Sequence, residues 1–573
     1  MASDVASGPV RRAPRHRIGA APHLALALMA LVLMVVFFYA VRTLTLFVSP
    51  MLFLAAVFLE AVFIAVFLWA VARALARPSE MLRSLAASAW EGLAANEYVV
   101  RARATNTPGA VWLRNRFRRD RASGLWLTGV VVVAAVPFVN FLGVAYAVVS
   151  GGVLTRIDER IANLMPKVRT PGETAFFAAA TMLANWQTVV LMTAAAALVL
   201  WQARRRFLAT AVVGAVVAQE LLTDLVQQIL HRQRPDESLA LLVVTTPGFP
   251  SGQTVRAVVV YGILVYLLVR AYGSVASRAL VVAAYLAVVL LVGMSRVYLG
   301  VHHVSDVWGG MLFGAALLAA AVGFLEISGR FPLIGRQRRA VSVRRVVAVV
   351  PVVGVAFALT TAPLLLHPQE HPAQRPTTAL PALDAASFAR LPLYSETLTG
   401  DRMEPANFIY VGSEDQLLAA FGAAGWDRAE PSTFANTLRA FAVGIQGGQY
   451  ATAPVTPSFV AGRPESLAFQ KATAENSLRQ RHHTRIWRTD YTAPDGRPVW
   501  EGTASFDDGI EFAGTAKVPT HHIDPNIDAE RAYIIGSLGY PEQLVALTHP
   551  QMGHNGSGDE FFTDGRAQLI VLR

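Results

Sequence analysis

The sequence contains no cysteine among its 573 residues. Disulfide bonds, thiol nucleophiles and cysteine-ligated metal centres are therefore excluded. The sequence also has no internal repeat and no clear signal-peptide cleavage site. Its basic N-terminal segment precedes a run of about 25 mostly apolar residues, which is too long for the apolar core of a signal peptide. This run is therefore predicted to be a retained membrane helix.

Apolar residues are abundant, since 54% of the chain is hydrophobic and its mean hydropathy is +0.42. These values are typical of a polytopic membrane protein with a soluble part. A membrane-spanning helix needs roughly 20 apolar residues. Span 187–203 is the shortest candidate, and an earlier start inside Phe176–Ala184 is an open alternative. About nine candidate spans are predicted, at residues 23–47, 52–76, 125–150, 187–203, 207–230, 253–273, 278–295, 303–325 and 346–366.

Basic residues fall mainly in the short segments between these spans. Segment 73–121, for example, has ten arginines against four acidic residues. The net charge of +11 therefore follows the positive-inside rule and does not indicate nucleic-acid binding. Nine spans put every basic segment on the cytoplasmic side. The same topology predicts a multi-pass plasma-membrane protein in which everything after residue 366 is extracytoplasmic.

The most informative motif lies where one apolar segment ends and the next begins. His302 follows Arg296 by six residues, and Asp306 follows His302 by four. An arginine can hold a phosphate group, a histidine can attack it, and an aspartate one helical turn later can fix the imidazole tautomer. Two further fragments, Arg234-Pro235 and Pro250-Ser251-Gly252, also lie just outside apolar segments. The pattern indicates phosphoryl transfer.

Together these fragments resemble the three motifs of the PAP2 (type 2 phosphatidic acid phosphatase) superfamily. The third motif, from Ser295 to Asp306, is complete. The first motif of the family is a lysine, six residues and Arg-Pro, but here the lysine position is Gln227. The second is Pro-Ser-Gly-His, but here Gln253 stands in the last place. One cation and the histidine that protonates the leaving group are thus both replaced by glutamine.

The resemblance implies a six-helix catalytic core that runs from span 125–150 through span 303–325. In that core His302 would form a phosphohistidine that water or another acceptor resolves, and Asp306 would orient it. No cofactor and no metal ion is expected there. Phosphate oxygens would be bound by guanidinium groups, a hydroxyl group and backbone N–H groups. The residues implied to bind phosphate are Arg234, Ser251, Gly252 and Arg296.

Because Gln253 replaces the general acid of the family, it limits which of the family's reactions this protein is expected to catalyse. Loss of a general acid typically slows a reaction by about 10²–10⁴-fold. An alkoxide that leaves a lipid monophosphate needs that proton far more than a phosphate that leaves a diphosphate. The sequence therefore predicts a lipid phosphate phosphatase or phosphotransferase that prefers lipid diphosphates, such as a polyprenyl diphosphate, over phosphatidate. The alternative is a degenerate protein that binds phosphorylated lipid without hydrolysis, in lipid handling, transport or envelope assembly.

Other polar residues nearby are candidates for the roles of the two missing side chains. Arg256 lies three residues after Gln253 on the same helical face, so it is a candidate replacement for the lysine. Its alternative role is to reach lipid headgroups at the interface. Arg232 and His231 are further candidates for the role of the lysine. His303 is a candidate for the role of the missing acid.

Span 207–230 carries polar residues on one helical face, at Glu220, Asp224 and Gln227. Carboxylates inside a membrane segment are functional-site hypotheses by default. They are predicted either to pair with the arginines of the site or to form part of a proton or cation path.

After a Pro-rich linker at 367–381, residues 382–573 have an ordinary soluble composition. Asp415–Gly425 has helical periodicity, and Pro494-Asp495-Gly496 is a turn signal that predicts a hairpin. These features predict a mixed α/β domain. Its strand-like runs are Phe408–Val411, Thr484–Tyr491, Val499–Ser505 and Gln568–Leu572.

Three segments of this domain, Gln480–Trp487, Trp500–Ser505 and Thr520–Asp524, resemble the LssY C-terminal domain family, which often follows a PAP2 region.

The histidines of this domain are also candidates for a zinc or manganese site, formed by His482, His521 and Asp524. Adjacent histidines in a strand point to opposite faces, so at most one of each pair can reach a shared site. The alternative is a set of hydrogen-bonded polar residues near loops.

These observations predict an α-helical polytopic membrane protein with a C-terminal soluble α/β domain. Its expected partners are a phosphorylated lipid and the bilayer. The predicted division is a basic cytoplasmic N-terminus at 1–22, a membrane hairpin and basic loop at 23–124, a PAP2-like core at 125–326, a cytoplasmic loop and last span at 327–366, the linker at 367–381 and the soluble domain at 382–573.

Overall fold

The computed structural model describes residues 20–37, 49–74, 122–271, 275–330, 377–513, 518–556 and 558–573, with short pieces between 84 and 120 and residues 352 and 354–360. The chain splits into two compact units. One comprises Met1–Val41 and Leu59–Val111, and the other comprises Arg42–Phe58 and Trp112–Arg573. The site and the contacts described below lie within the second unit.

Helices make up the N-terminal part of the chain. A π-helical turn at Ala122–Trp126 leads into α5, and a second one at Ala257–Tyr261 joins α10 to α11. The helices are α1 Ala20–Val36, α2 Pro50–Ala74, α3 Glu97–Ala104, α4 Pro108–Arg116, α5 Leu127–Val149, α6 Val153–Val168, α7 Pro171–Thr181, α8 Trp186–Gln202, α9 Arg206–Leu230, α10 Gly252–Arg256, α11 Gly262–Ala271, α12 Val275–Tyr298 and α13 Val304–Arg330.

Six helical segments within the described residues are long and apolar enough to cross a membrane. A seventh results if Pro171–Ala184 and Trp186–Gln202, which meet at a bend of 44°, count as one broken span. This bent pair corresponds to the earlier start considered for the shortest predicted span. A helix satisfies its own backbone hydrogen bonds and therefore suits a bilayer. The chain is a multi-pass membrane protein, as predicted. The count of nine stays a prediction, because most of 346–366 lies outside the described residues.

Glycines in α13 allow this helix to pack closely against the segment that carries the Pro-Ser-Gly motif. A Cβ atom added at Gly310 would lie 2.9 Å from the carbonyl oxygen of Ser251. One added at Gly314 would lie 2.8 Å from the Cβ atom of Val258. Small residues allow such close approach of helices in membranes. The packing fixes the start of α10 beside the start of α13, where Asp306 lies.

The C-terminal part is built around a nine-stranded sheet with the order β12-β15-β4-β10-β9-β8-β5, in which β1 also pairs with β9 and β11 with β10. Smaller sheets are formed by β13-β14 and by β3-β2-β6-β7. The helices are α14 Ala385–Phe388, α15 Glu414–Ala423, α16 Phe434–Gln446 and α17 Ile527–Leu538. The strands are β1 Thr378–Ala379, β2 Tyr394–Glu396, β3 Arg402–Pro405, β4 Phe408–Val411, β5 Asp427–Arg428, β6 Phe459–Val460, β7 Arg463–Pro464, β8 Leu467–Ser477, β9 Gln480–Thr492, β10 Pro498–Ala513, β11 Val518–Ile523, β12 Leu544–Ala546, β13 Gln551–His554, β14 Glu560–Thr563 and β15 Arg566–Val571.

The predicted mixed α/β domain is confirmed, and the four predicted strands correspond to β4, β9, β10 and β15. Strands β9 and β10 form the predicted antiparallel hairpin around the turn at Pro494-Asp495-Gly496. One boundary differs from the prediction. The end of the predicted linker is part of the sheet, because Thr378 and Ala379 pair with Tyr491 and Thr492 of β9.

The C-terminal domain packs directly on the amphipathic helix α6. The buried Arg160 forms an ion pair with Glu396. The amide nitrogen of Asn163 donates to the carbonyl oxygen of Gly462 at 3.1 Å, and Lys167 Nζ lies 3.5 Å from Glu465 Oε1. The domain therefore lies on the same side of the helical core as the loop before α13, which α6 also contacts.

Candidate active site

A cavity of about 600 Å³ lies where the three motif segments meet. One wall is apolar and comes from the loop between α9 and α10, at Leu241–Val244. The opposite wall is polar and strongly basic. It brings together seven of the predicted site residues, Gln227, Arg234, Gly252, Gln253, Arg256, Arg296 and His302. The other two core residues, Ser251 and Asp306, are fully buried and are not among the residues that line it.

His302 is positioned by a tight turn between α12 and α13. Gly300 adopts a φ of +73°, and a Cβ atom there would lie 2.4 Å from the carbonyl oxygen of Leu239, so only glycine fits. The backbone N–H of His302 donates to the carbonyl oxygen of Arg296 at 3.3 Å. This turn brings two side chains of the third motif to the same cavity.

Both ring nitrogens of His302 have polar neighbours. Nδ1 lies 3.4 Å from Asp306 Oδ2, and Nε2 lies 3.0 Å from Nη1 of Arg234. A guanidinium group only donates hydrogen bonds, so Nε2 accepts and Nδ1 carries the proton that points to Asp306. In this tautomer Nε2 carries no proton, and its lone pair accepts the hydrogen bond from Arg234. An unprotonated Nε2 is the state that a nucleophilic imidazole requires.

Burial lowers the pKa of two residues of the site that lie outside the membrane spans, His302 and Arg234. It lowers the pKa of His302 from 6.5 to about 3, against the hydrogen bond to Asp306, which raises it. The imidazole is therefore neutral at pH 7. Burial also lowers the pKa of Arg234 from 12.5 to about 10, so this guanidinium group stays protonated at pH 7. A neutral nucleophile thus stands beside a fixed positive charge.

The side chain of Arg234 is held by backbone carbonyl groups of two separate segments. Its Nε donates to the carbonyl oxygen of Thr246 at 2.6 Å, and its Nη1 donates to the carbonyl oxygen of Val301. Nη2 also donates to Thr246 Oγ1 at 3.0 Å. Because these partners fix the plane of the guanidinium group, it is preorganised beside His302.

Arg296 and Gln253 are connected through Thr181 of α7. Arg296 Nη1 donates to Thr181 Oγ1 at 2.8 Å, and Thr181 Oγ1 donates to Gln253 Oε1 at 2.7 Å. The amide NH₂ of Gln253 can then donate a hydrogen bond to a ligand, but an amide cannot transfer a proton. Sequence reasoning did not identify Thr181. Its only signal is a hydroxyl group within the apolar run before Asn185.

The buried Ser251 lies behind the cavity wall rather than on it. Its hydroxyl group accepts a hydrogen bond from Thr254 Oγ1 at 3.0 Å, and its backbone N–H donates to the carbonyl oxygen of Asp306 at 3.0 Å. Gly252 and the start of α10 face the cavity instead. In this arrangement Ser251 connects the second motif to the third.

The glutamine at the lysine position does not act as a replacement donor toward the cavity. Gln227 Nε2 donates to the carbonyl oxygen of Pro250 at 2.8 Å. Arg256, the predicted replacement for the lysine, lines the cavity and forms a bidentate pair with Glu220, at 2.6 and 2.9 Å. The predicted pairing of a carboxylate of α9 with Arg256 is thereby confirmed. Asp224 lines the same cavity.

Arg232 contacts Asp306 and is not among the residues that line the cavity of His302. Its guanidinium group is clamped between Asp306 and Asp158 of α6, with Nη2 2.8 Å from Asp158 Oδ2. The backbone N–H of Ser305 donates to Asp158 Oδ1 at 3.0 Å. Sequence reasoning missed Asp158, because nothing in the local pattern of α6 relates it to residues about 150 positions later.

The remaining candidates for the two missing side chains lie elsewhere. His303 donates its backbone N–H to Asp306 Oδ2 at 2.9 Å, and its side chain borders a second cavity near Asp236. His231 lines a third cavity, together with other residues of the loop between α9 and α10. Neither is among the residues that line the cavity of His302. Their predicted roles as substitutes therefore have no support from position.

The histidines of the C-terminal domain point to opposite faces of β9, as predicted. His482 Nδ1 lies 2.7 Å from Glu530 Oε2 and its ring stacks on Tyr533, whereas His483 faces Asp507. The side chain of His521 lies outside the described residues. Among the described side chains, no group of three or more carboxylates and histidines could hold a metal ion, and Asp524 belongs to no such group.

Two regions of the chain match known families. Residues 207–329 match the model of the PAP2 superfamily, and residues 388–567 match the model named LssY C-terminus. Phosphatidylglycerophosphatase B of Bacillus subtilis (strain 168) is 38% identical over 112 residues, which are 19% of this chain and 55% of that protein. The match thus spans about half the length of this curated relative.

One solved structure is also similar to this chain. It is a transmembrane PAP2-type phosphatidylglycerolphosphate phosphatase from Bacillus subtilis, which is 26% identical with a TM-score of 0.33. The similarity covers 36% of this chain and 99% of that chain.

Proposed function

We propose that the protein, whose residues 207–329 match the model of the PAP2 superfamily, is a membrane phosphatase that acts on a phosphorylated lipid through a covalent intermediate on His302. One observation carries the proposal. The neutral imidazole of His302 directs Nε2 into a cavity that three arginines line, while Asp306 orients Nδ1. A site that only binds phosphate has no need of an oriented imidazole.

The reaction takes place in two steps. Arg234 Nη1 transfers its hydrogen bond from His302 Nε2 to a phosphate oxygen, which frees the Nε2 lone pair. This lone pair attacks the phosphorus atom, the bond to the leaving oxygen breaks, and that oxygen takes the electron pair. Arg234 and Arg296 bind the non-bridging oxygens and neutralise the charge that develops there. Water then attacks the phosphohistidine, the P–N bond breaks, and its electron pair returns to Nε2. Inorganic phosphate leaves the cavity.

Gln253 favours lipid diphosphates as substrates. Its amide can bind a leaving oxygen, but it supplies no proton to an alkoxide. A lipid monophosphate that leaves from a diphosphate is stable without that proton. The terminal phosphoryl group of a polyprenyl diphosphate is therefore the preferred donor. The apolar wall at Leu241–Val244 is suited to the lipid chain of such a substrate.

The relative from Bacillus subtilis is named for phosphatidylglycerophosphate, which makes this monoester the reference substrate for comparison. Its leaving group is an alkoxide, so the loss of a general acid slows its cleavage by about 10²–10⁴-fold. The protein is expected to turn over the diphosphate faster than either phosphatidylglycerophosphate or phosphatidate.

The experiment is phosphate release by the purified full-length protein in detergent, with a polyprenyl diphosphate, phosphatidylglycerophosphate and phosphatidate. His302→Ala should abolish release from each of them. Gln253→His restores an acid and should raise the rates for the two monoesters far more than the rate for the diphosphate. Monoester turnover equal to or faster than diphosphate turnover in the wild type contradicts the substrate preference.

A binding protein without turnover is the second candidate. The two glutamines at motif positions favour it, since they replace a cation and an acid. The same assay separates the candidates. No release from any substrate, together with release by Gln253→His, assigns the wild type to lipid binding.

The cavity is proposed to open on the extracytoplasmic side, with the C-terminal domain on that side as well. The basic segments of the chain support this orientation, since arginine-rich loops remain in the cytoplasm. Arg463 and Asp490 of the C-terminal domain border a cavity that Arg234 and Pro235 also line. The domain and the motif loops are therefore proposed to lie on the same side of the membrane.

A further inference from the structure

The second step of the proposed reaction lacks an evident base. Water that attacks a phosphohistidine must lose a proton, and the family residue for proton exchange is Gln253 here. Three arginines, amides and hydroxyl groups contribute most of the polar lining of the cavity. Among the described residues that line it, only His302 and Asp224 carry side chains that can accept a proton, since arginines are always protonated and amides and hydroxyl groups are very weak bases. His302 is the group that holds the phosphoryl moiety.

Asp224 lies on α9 between two residues of the site, Glu220 and Gln227, whose side chains already have hydrogen-bond partners. It lies one turn after Glu220, whose carboxylate is occupied by Arg256, and three residues before Gln227, which donates to Pro250. Its neighbour Thr223 lies 3.8 Å from the position that a Cβ atom of Gly252 would occupy. Asp224 is therefore on the helical turn that faces the start of α10 and the phosphate cavity.

The carboxylate of Asp224 is accessible within the membrane region. The residue is exposed, it lines the cavity, and no ion pair or hydrogen bond joins its side chain to another described residue. Its helix belongs to the span Arg206–Leu230. A carboxylate inside a span is costly to keep and is found where it faces water or serves a function. Glu220, one turn earlier, pairs with Arg256, whereas Asp224 lines the cavity.

We infer that Asp224 is the general base of the dephosphorylation step, an inference that rests on the proposed function. The carboxylate accepts a proton from the attacking water as its oxygen bonds to phosphorus. The P–N bond to His302 breaks, and the electron pair returns to Nε2. Asp224 then releases the proton to solvent through the cavity. The first step then has no general acid, which agrees with a diphosphate substrate because its leaving phosphate needs no proton.

The test is a rapid-quench experiment on the full-length protein with a polyprenyl diphosphate labelled in its terminal phosphoryl group. Asp224→Asn keeps the shape of the side chain and removes the base. The burst of phosphohistidine formation should persist, while steady-state phosphate release should fall by about 10²–10⁴-fold. Phosphohistidine should then accumulate to nearly one per protein. Asp224→Glu should recover part of the release.

Glu220→Gln is the matched control, since it changes a carboxylate to an amide on the same helix and loosens Arg256. It should raise KM without accumulation of phosphohistidine. Equal release rates for Asp224→Asn and wild type would overturn the inference, and so would an Asp224→Asn protein that has lost its burst. A wild type that forms no phosphohistidine would overturn the proposed function and the inference with it.

Discussion

At the scale of single residues, the proposed chemistry depends on a histidine that burial keeps neutral. The lowered pKa of His302, about 3, leaves Nε2 unprotonated at every physiological pH. Protonation removes the nucleophile only as the pH falls toward that value. The three motif positions were predictable because each has a fixed spacing within one short segment. Thr181 and Asp158 were not, because they reach the site from other helices.

Glu501 of β10 gives a residue-scale prediction about stability. Burial raises its pKa from 4.5 to about 8, so the folded protein holds a proton that the unfolded chain releases. The stability that this proton confers is fully present below pH 4.5 and is lost as the pH rises through 8, at up to about 1.4 kcal/mol per pH unit. Glu501→Gln removes this dependence and should raise the thermal stability of the C-terminal domain at pH 8.

The measurement is thermal unfolding of both full-length proteins at pH 5 and pH 8, followed by tryptophan fluorescence. Other titrating groups are common to the two proteins, so the difference between their pH slopes isolates Glu501. Identical slopes would contradict the buried, protonated carboxyl group.

At the scale of elements, α6 connects the C-terminal domain to the segment that carries His302. One part of the helix holds Glu396 through Arg160, and another holds Arg232 and Ser305 through Asp158. Helix periodicity alone predicts that α6 has a buried face. It does not identify the partners, because they come from segments far away in sequence. Strands β4 and β10, in contrast, follow from local apolar runs and a turn signal.

Substitution of Asp158 tests this connection. Asp158→Asn removes the charge that holds Arg232 and Ser305, so the carboxylate of Asp306 and the ring of His302 lose their fixed position. Because Asp158 is not part of the cavity wall, kcat should fall by up to about 10²-fold while KM stays unchanged. Steady-state kinetics with the diphosphate measure both constants. Arg156→Gln, an exposed change on the same helix, should leave both as in the wild type.

An increase in KM at constant kcat for Asp158→Asn would contradict the positioning role. A second variant, Asp158→Glu, keeps a carboxylate that can reach Arg232, and a kcat closer to that of the wild type than Asp158→Asn shows would support the role.

At the scale of the whole molecule, the sequence predicted a helical membrane core followed by an α/β domain, and both are present. Hydropathy and strand patterning are local signals, so they suffice for this level. The docking of the domain on α6 was not predictable, because it depends on side chains that meet only after both parts have folded. The side of the membrane on which the domain lies stays a prediction from arginine placement.

The absence of cysteine makes that prediction testable with single substitutions. Glu542→Cys introduces a thiol on the exposed surface of the C-terminal domain, and Arg206→Cys introduces one at the start of α9. A membrane-impermeant maleimide applied to intact cells should label the first variant and not the second. Permeabilised cells should label both. The reverse pattern in intact cells would contradict an extracytoplasmic site.

The central claim is that His302 carries the phosphoryl group during turnover. The direct measurement is mass spectrometry of the protein quenched at alkaline pH, at which phosphohistidine survives, after brief exposure to a polyprenyl diphosphate. We predict one phosphoryl group on the peptide that contains His302, increased in Asp224→Asn and absent in His302→Ala. Phosphate release without any phosphorylated histidine, or release that persists in His302→Ala, would contradict the account.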